Sequence, residues 1–111
     1  MILEKLKILE ENNLIDAVAR QHVINAGELL IRENVIAQLN DAEVFLTHLA
    51  MSFSREEDLN KVDEDINQQL VANSHYSEVV NLWNKIQEEL AISLNPEEDD
   101  YMYMHLLALM E

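Results

Sequence analysis

The sequence predicts an all-α protein, a compact helical bundle of five or six helices. Three observations carry this expectation. The chain holds one glycine, Gly27, and one proline, Pro96, too few for the turns of a β architecture. Apolar residues recur three and four positions apart along most of its length, the spacing of one helix face. Of its 111 residues, 49% are hydrophobic, enough for a core without metal or disulfide staples. The length suits one domain over residues 1–111, with 1–13 as an N-terminal extension or short helix.

Ile2–Leu9 reads as a short amphipathic helix or turn, interrupted by Asn12 and Asn13. From Leu14 to about Arg32 the apolar positions Leu14, Ile15, Val18, Ala19, Val23, Ala26, Leu29 and Leu30 have helical spacing. Gly27 weakens that helix, since glycine costs about 1 kcal/mol relative to alanine in a helix interior. Asn40 is placed to cap the next helix, with Glu43 three residues on as its capping-box partner, and that helix runs to about Arg55. A fourth helix spans roughly Val62–Ala72. A longer one spans Tyr76–Ile92, with Val79, Val80, Trp83, Ile86 and Leu90 facing inward. Asn95-Pro96-Glu97-Glu98 is a helix start: a cap, a proline at the first helical position, then acids in the first turn. The last helix continues to the end of the chain.

Charge removes whole classes of function. Twenty-two acids face seven bases, for a net charge of -15, and Lys5, Lys7, Arg20, Arg32, Arg55, Lys61 and Lys85 are scattered. Nucleic-acid binding draws most of its affinity from neutralised phosphates, so direct DNA or RNA binding is not expected. The acidity suits a solvated surface or a partner with a basic face. The absence of cysteine excludes disulfides and thiol chemistry. No apolar run approaches the roughly 20 residues of a membrane span. In the start, MILEKLKILEENN, Glu4, Lys5 and Lys7 break any signal-peptide pattern. A cytoplasmic protein is expected.

Catalytic and metal motifs are missing. No Glu-x-x-His occurs, because Ala19, Phe45, Ala72 and Met102 stand three residues before the four histidines. No His-Glu-x-x-His occurs, and Asp63-Glu64-Asp65 lacks the glycine and ligand spacing of a calcium loop. One glycine builds neither a nucleophile elbow nor a phosphate loop. No enzyme activity, metal or cofactor is therefore expected. Glu97–Asp100 are explained by the positive end of a helix dipole. His22 and His75 read as surface or capping residues. His48 and His105 stand apart by their neighbourhoods. His48 shares a stripe with Val44, Phe45, Met51, Ser52 and Arg55; His105 shares one with Glu98, Tyr101, Met102, Ala108 and Leu109. Pattern alone allows two readings: core or boundary histidines with satisfied rings, or rings that do chemistry.

The two histidine segments resemble motifs of a known family. Phe45–Arg55, FLTHLAMSFSR, is similar to the first histidine motif of the phosphotransferase-system regulation domain, the PRD: a histidine, an apolar helix, and an arginine seven residues later. Leu94–Leu106, LNPEEDDYMYMHL, resembles the second: a proline, a glutamate seven before the histidine, a tyrosine four before it, then His-Leu. Ser74–Leu90 between them resembles the family's aromatic-led helix. The two histidines lie 57 residues apart, in keeping with the family's spacing. The resemblance covers the chain from about residue 14; Met1–Asn13 and the region of Gly27 match less well.

The resemblance implies a helical bundle in which the two histidine-bearing helices pack near each other. It implies phosphorylation of His48 and His105 by the phosphocarrier HPr or by a sugar-transport enzyme IIB component. It also implies a homodimer whose association responds to the modification. PRDs usually occur in pairs fused to an RNA-binding antiterminator or a DNA-binding activator; this sequence has one and resembles the small stand-alone members, so it would act through another protein. Neutral imidazole is a good nucleophile near neutral pH. A phosphoryl group adds roughly one and a half to two negative charges, which Arg55 is placed to meet. Glu98 or Tyr101 would orient a ring nitrogen. The rival expectations are a phosphorylation-independent helical adaptor or dimerisation domain with inert, buried histidines, and a small metal-dependent enzyme.

Overall fold

The computed structural model describes residues 1–53 and 63–110. Among these residues the structure is all-α: six α-helices, two short 3-10 turns and no strand. The helices are α1 (Ile2–Glu11), α2 (Ala17–Arg32), α3 (Glu43–Ser52), α4 (Glu64–Ala72), α5 (Tyr76–Leu90) and α6 (Asp99–Met110). The chain divides into two compact units, Met1–Glu56 with three helices and Glu57–Glu111 with the other three.

In the first unit, α1 ends where Asn13 takes a left-handed backbone conformation at φ 60. Its N–H donates to the Glu10 carbonyl and that of Leu14 to the Leu9 carbonyl, the Schellman closure of a helix. Asn34, at φ 62, ends α2 in the same way, with bonds from Asn34 to Ile31 and from Val35 to Leu30. Asparagine suits both positions because its short polar side chain tolerates this region better than most.

The start of α2 falls later than the apolar spacing suggests. Asp16 is the cap, and its side chain accepts from the Ala19 N–H at 2.7 Å, so Leu14 and Ile15 precede the helix. Ile15, Ala19, Val23, Ala26, Leu29 and Leu30 are buried as expected, but Leu14 and Val18 are exposed. Gly27 is buried within α2 rather than merely tolerated there. A Cβ added to it would collide with Leu39 Cδ2 and come within 3.3 Å of Leu46 Cδ1. The missing side chain lets the segment leading into α3 lie close against α2.

Asn40 does not cap α3. Gln38 and Asp41 form a capping box on the 3-10 turn Leu39–Ala42, which leads directly into α3. Asn40 instead accepts from the Ile2 N–H at 2.9 Å, satisfying an orphan donor at the start of α1 across 38 residues of sequence. An ion pair from Lys5 to Glu43 at 3.0 Å also joins α1 to α3, and one from Arg20 to Glu10 at 3.2 Å joins α2 to α1. The expected extension of α3 to Arg55 lies partly outside the described residues; the described helix ends at Ser52, with Phe53 as its cap.

In the second unit, α4 begins at Glu64, because the Asp63 side chain caps it by accepting from the Asp65 N–H. Helix α5 buries Val79, Leu82, Trp83, Ile86 and Leu90, while Val80 is only half-buried. It ends at Leu90 rather than Ile92, because Ala91 turns left-handed at φ 54 and the Ile92 N–H closes on the Gln87 carbonyl. The expected start at Asn95-Pro96 is present: Asn95 accepts from the Glu97 N–H, and Pro96–Glu98 form a 3-10 turn that runs into α6. Met102 and Leu106 of α6 complete this core.

Candidate functional site

His48 lies in the first unit, midway along α3. Phe45, Leu46, Leu49 and Ala50 of that helix are buried, Val44 is exposed, and the His48 ring is half-buried between these faces. Ser52, four residues on, is buried and donates its hydroxyl to the Leu49 carbonyl at 2.6 Å, so its proton is committed to its own helix. Arg55, the expected partner for charge on His48, lies outside the described residues. His22 is not the plain surface residue that its neighbours suggest. It is half-buried and stacks on Phe53, ring centroids 5.6 Å apart at 26°, so a second imidazole of this unit packs at the end of α3. Nothing in the sequence pairs residues 22 and 53, which lie on different elements.

His105 lies in the second unit, on α6, together with Glu98 and Tyr101. The ring is half-buried between the buried Met102 and Leu106 on one side and the exposed Met104 and Ala108 on the other. Tyr101 is half-buried, one turn before it. Glu98, two turns before it, is 3% exposed, a depth at which a carboxylate needs partners. None of His48, Glu98, Tyr101 and His105 is without an interacting neighbour.

The acids ahead of His105 do more than sit at a helix dipole. Asp99 accepts from the indole N–H of fully buried Trp83 at 2.8 Å, joining α6 to α5. Asp100 accepts from the Asn67 amide at 3.2 Å, joining α6 to α4. Tyr103 meets the edge of Tyr76 at 5.8 Å, and its phenol pKa is pushed up to about 12. Burial is the main cause, and the negative charges of Asp99 and Asp100 add to it. The hydroxyl therefore stays protonated, a hydrogen-bond donor, across the physiological range. The sequence pointed to the acids but not to these pairings, since each depends on which helices pack together. His75 occupies the cap position before α5 as expected, with its Nδ1 3.5 Å from Glu78.

Comparison with protein-family models, with curated proteins and with solved structures found no match. The site thus stands on its own chemistry. Among the described residues, no group of three or more His, Cys, Asp or Glu side chains is arranged to hold a metal ion. No helix among them is long and apolar enough to cross a membrane. The charge is unevenly shared. Residues 57–111 carry thirteen acids and two lysines, whereas residues 1–56 carry nine acids and five bases. His105 thus belongs to a strongly acidic unit and His48 to a nearly balanced one. What the arrangement offers chemically is two imidazoles, one in each unit, each on a packed helix at a position that is only partly buried.

Proposed function

We propose that this chain is a phosphorylation-responsive regulatory module of bacterial carbohydrate transport, of the PRD kind. His48 and His105 receive phosphoryl groups from HPr or an enzyme IIB component. The module works in the cytoplasm as a homodimer and passes the signal to a partner protein; it has no catalytic turnover of its own. The observation that supports this reading most is that neither His48 nor His105 is fully buried. Inert core histidines are buried with satisfied ring nitrogens, while a phosphoacceptor needs a nitrogen that a donor protein can reach.

In the transfer, the lone pair of a neutral ring nitrogen attacks the phosphorus of the donor's phosphohistidine. A new N–P bond forms as the donor's N–P bond breaks, and the donor imidazole takes back the electron pair. The acceptor ring gives up the proton on its other nitrogen and the donor ring takes one up, so the exchange is proton-neutral overall and the module has only to present the ring and accommodate charge. Glu98 and Tyr101 serve to orient His105, and Arg55 to meet charge at His48. The added charge at a packed helix face then biases association. Because His105 belongs to a unit with thirteen acids and two lysines, its phosphorylation meets more repulsion than that of His48. The test is intact mass after incubation with phosphoenolpyruvate, enzyme I and HPr, with and without enzyme IIB. Acid-labile phosphoryl addition that disappears in the His48→Ala/His105→Ala double variant is expected. Absence of addition from every donor would leave a phosphorylation-independent adaptor.

A further inference from the structure

The second unit carries an open apolar groove on the face where α4 meets α6. It is about 280 Å³ in volume and is lined by Ile66, Gln69 and Leu70 of α4, by Asn73 just past its end, and by Met104, Leu107 and Ala108 of α6. These positions recur three and four apart on each helix, so two helix stripes form its walls. Leu70 forms the buried floor at 4% exposure, while Ile66 and Met104 on the walls stay 43% and 37% exposed. The space suits two or three apolar side chains rather than an enclosed small molecule.

The two walls run in the same direction. Asn67 in the first turn of α4 bonds to Asp100 in the first turn of α6, and Asn73, just past the end of α4, and Ala108 of α6 line the groove further along. The first turns of both helices therefore meet at one end of the groove. Asp63, Glu64 and Asp65 come from the α4 start, and Glu97 and Asp100 from the α6 start, with no lysine or arginine among the residues of α4 or α6. The groove is thus mainly apolar, with the acid-bearing first turns of both helices beyond one end of it.

We infer that this groove is a docking site for an amphipathic helix of another protein, with an apolar stripe and basic residues at one end. Ridge-in-groove seating of a third helix uses the same i, i+3, i+4 spacing that the walls already present. The charge pattern selects the partner. Two copies meeting through this face would bring two strongly acidic units together, whereas a basic-ended helix meets complementary charge. The inference extends the proposed function by giving the partner's chemistry, but it needs no phosphoryl group, so the two readings can fail separately.

The test uses the full, unphosphorylated chain and fluorescein-labelled synthetic helical peptides with a Leu/Ala stripe. One pair carries Arg at the N-terminal or C-terminal end; a matching pair carries Glu in place of Arg. Anisotropy titrations at low salt should show at least tenfold tighter binding of one Arg peptide than of its Glu counterpart, with the advantage shrinking as salt rises. Met104→Glu should weaken that binding at least tenfold although it adds negative charge, and Ile66→Gln should weaken it without changing charge. Circular dichroism checks that both variants keep their helices; if one does not, the other carries the test. Equal binding of Arg and Glu peptides, binding undiminished by folded variants, or no binding at all would overturn the inference. So would a dimer, seen by sedimentation equilibrium, that Met104→Glu dissolves, because the occupant would then be a second copy.

Discussion

Trp83 is fully buried, and its indole N–H has Asp99 as its acceptor. Asp99→Ala should orphan that donor and destabilise the protein by about 1–3 kcal/mol, read as a lower midpoint in urea unfolding. Asp99→Asn, which keeps an acceptor oxygen, should cost less. Ala91 presents the converse case. Its left-handed backbone at φ 54 is strained for any residue with a Cβ, and its side chain is exposed. Ala91→Gly should therefore stabilise by roughly 0.5–1 kcal/mol in the same assay. Tyr103 gives a pH dependence. Its pKa is raised from the usual phenol value of 10.0 to about 12, so the fold favours the neutral form. The stability this contributes is fully present below pH 10 and is lost as pH rises through about 12. A titration of phenolate absorbance should show an ionisation near pH 12 that Tyr103→Phe removes. Glu43 runs the other way: its hydrogen bond and charge pairing with Lys5 lower its pKa, so that support is present above the usual carboxylate value and fades as pH falls.

At the scale of elements, the close approach of α2 to the entry of α3 depends on Gly27. Gly27→Val would force Leu39 and Leu46 aside and should cost about 1–3 kcal/mol by overpacking. Gly27→Ala has a smaller effect, because the gain in helix propensity opposes a contact with flexible leucine ends. Asn40 holds α1 from a distance, and Asn40→Ala should remove that cap for about 1 kcal/mol. Helix existence was legible in the sequence, since periodic apolar positions and scarce Gly and Pro leave few alternatives. The Asn95-Pro96 start was legible because its signals are local. The start of α2 and the role of Asn40 were not. Asp16 caps through a bond three residues away that competes with an unbroken apolar run, and Asn40 acts on a helix 38 residues back. Sequence spacing along one helix carries neither. The same holds for the site: the mixed stripes singled out His48 and His105 but left their burial open, and the His22–Phe53 stack and the Asp99–Trp83 bond are set by which elements meet.

At the scale of the molecule, the six helices among the described residues fall into two units of three, the units carry unequal charge, and each holds one candidate histidine. The central claim is that these two imidazoles accept phosphoryl groups. Mass spectrometry under non-acidic conditions, on protein treated with phosphoenolpyruvate, enzyme I, HPr and enzyme IIB, tests it most directly. The account predicts up to two acid-labile phosphoryl groups on the wild type, at most one on His48→Ala or His105→Ala, and none on the double variant. Full labelling of the double variant, or none of the wild type with any donor, would contradict it.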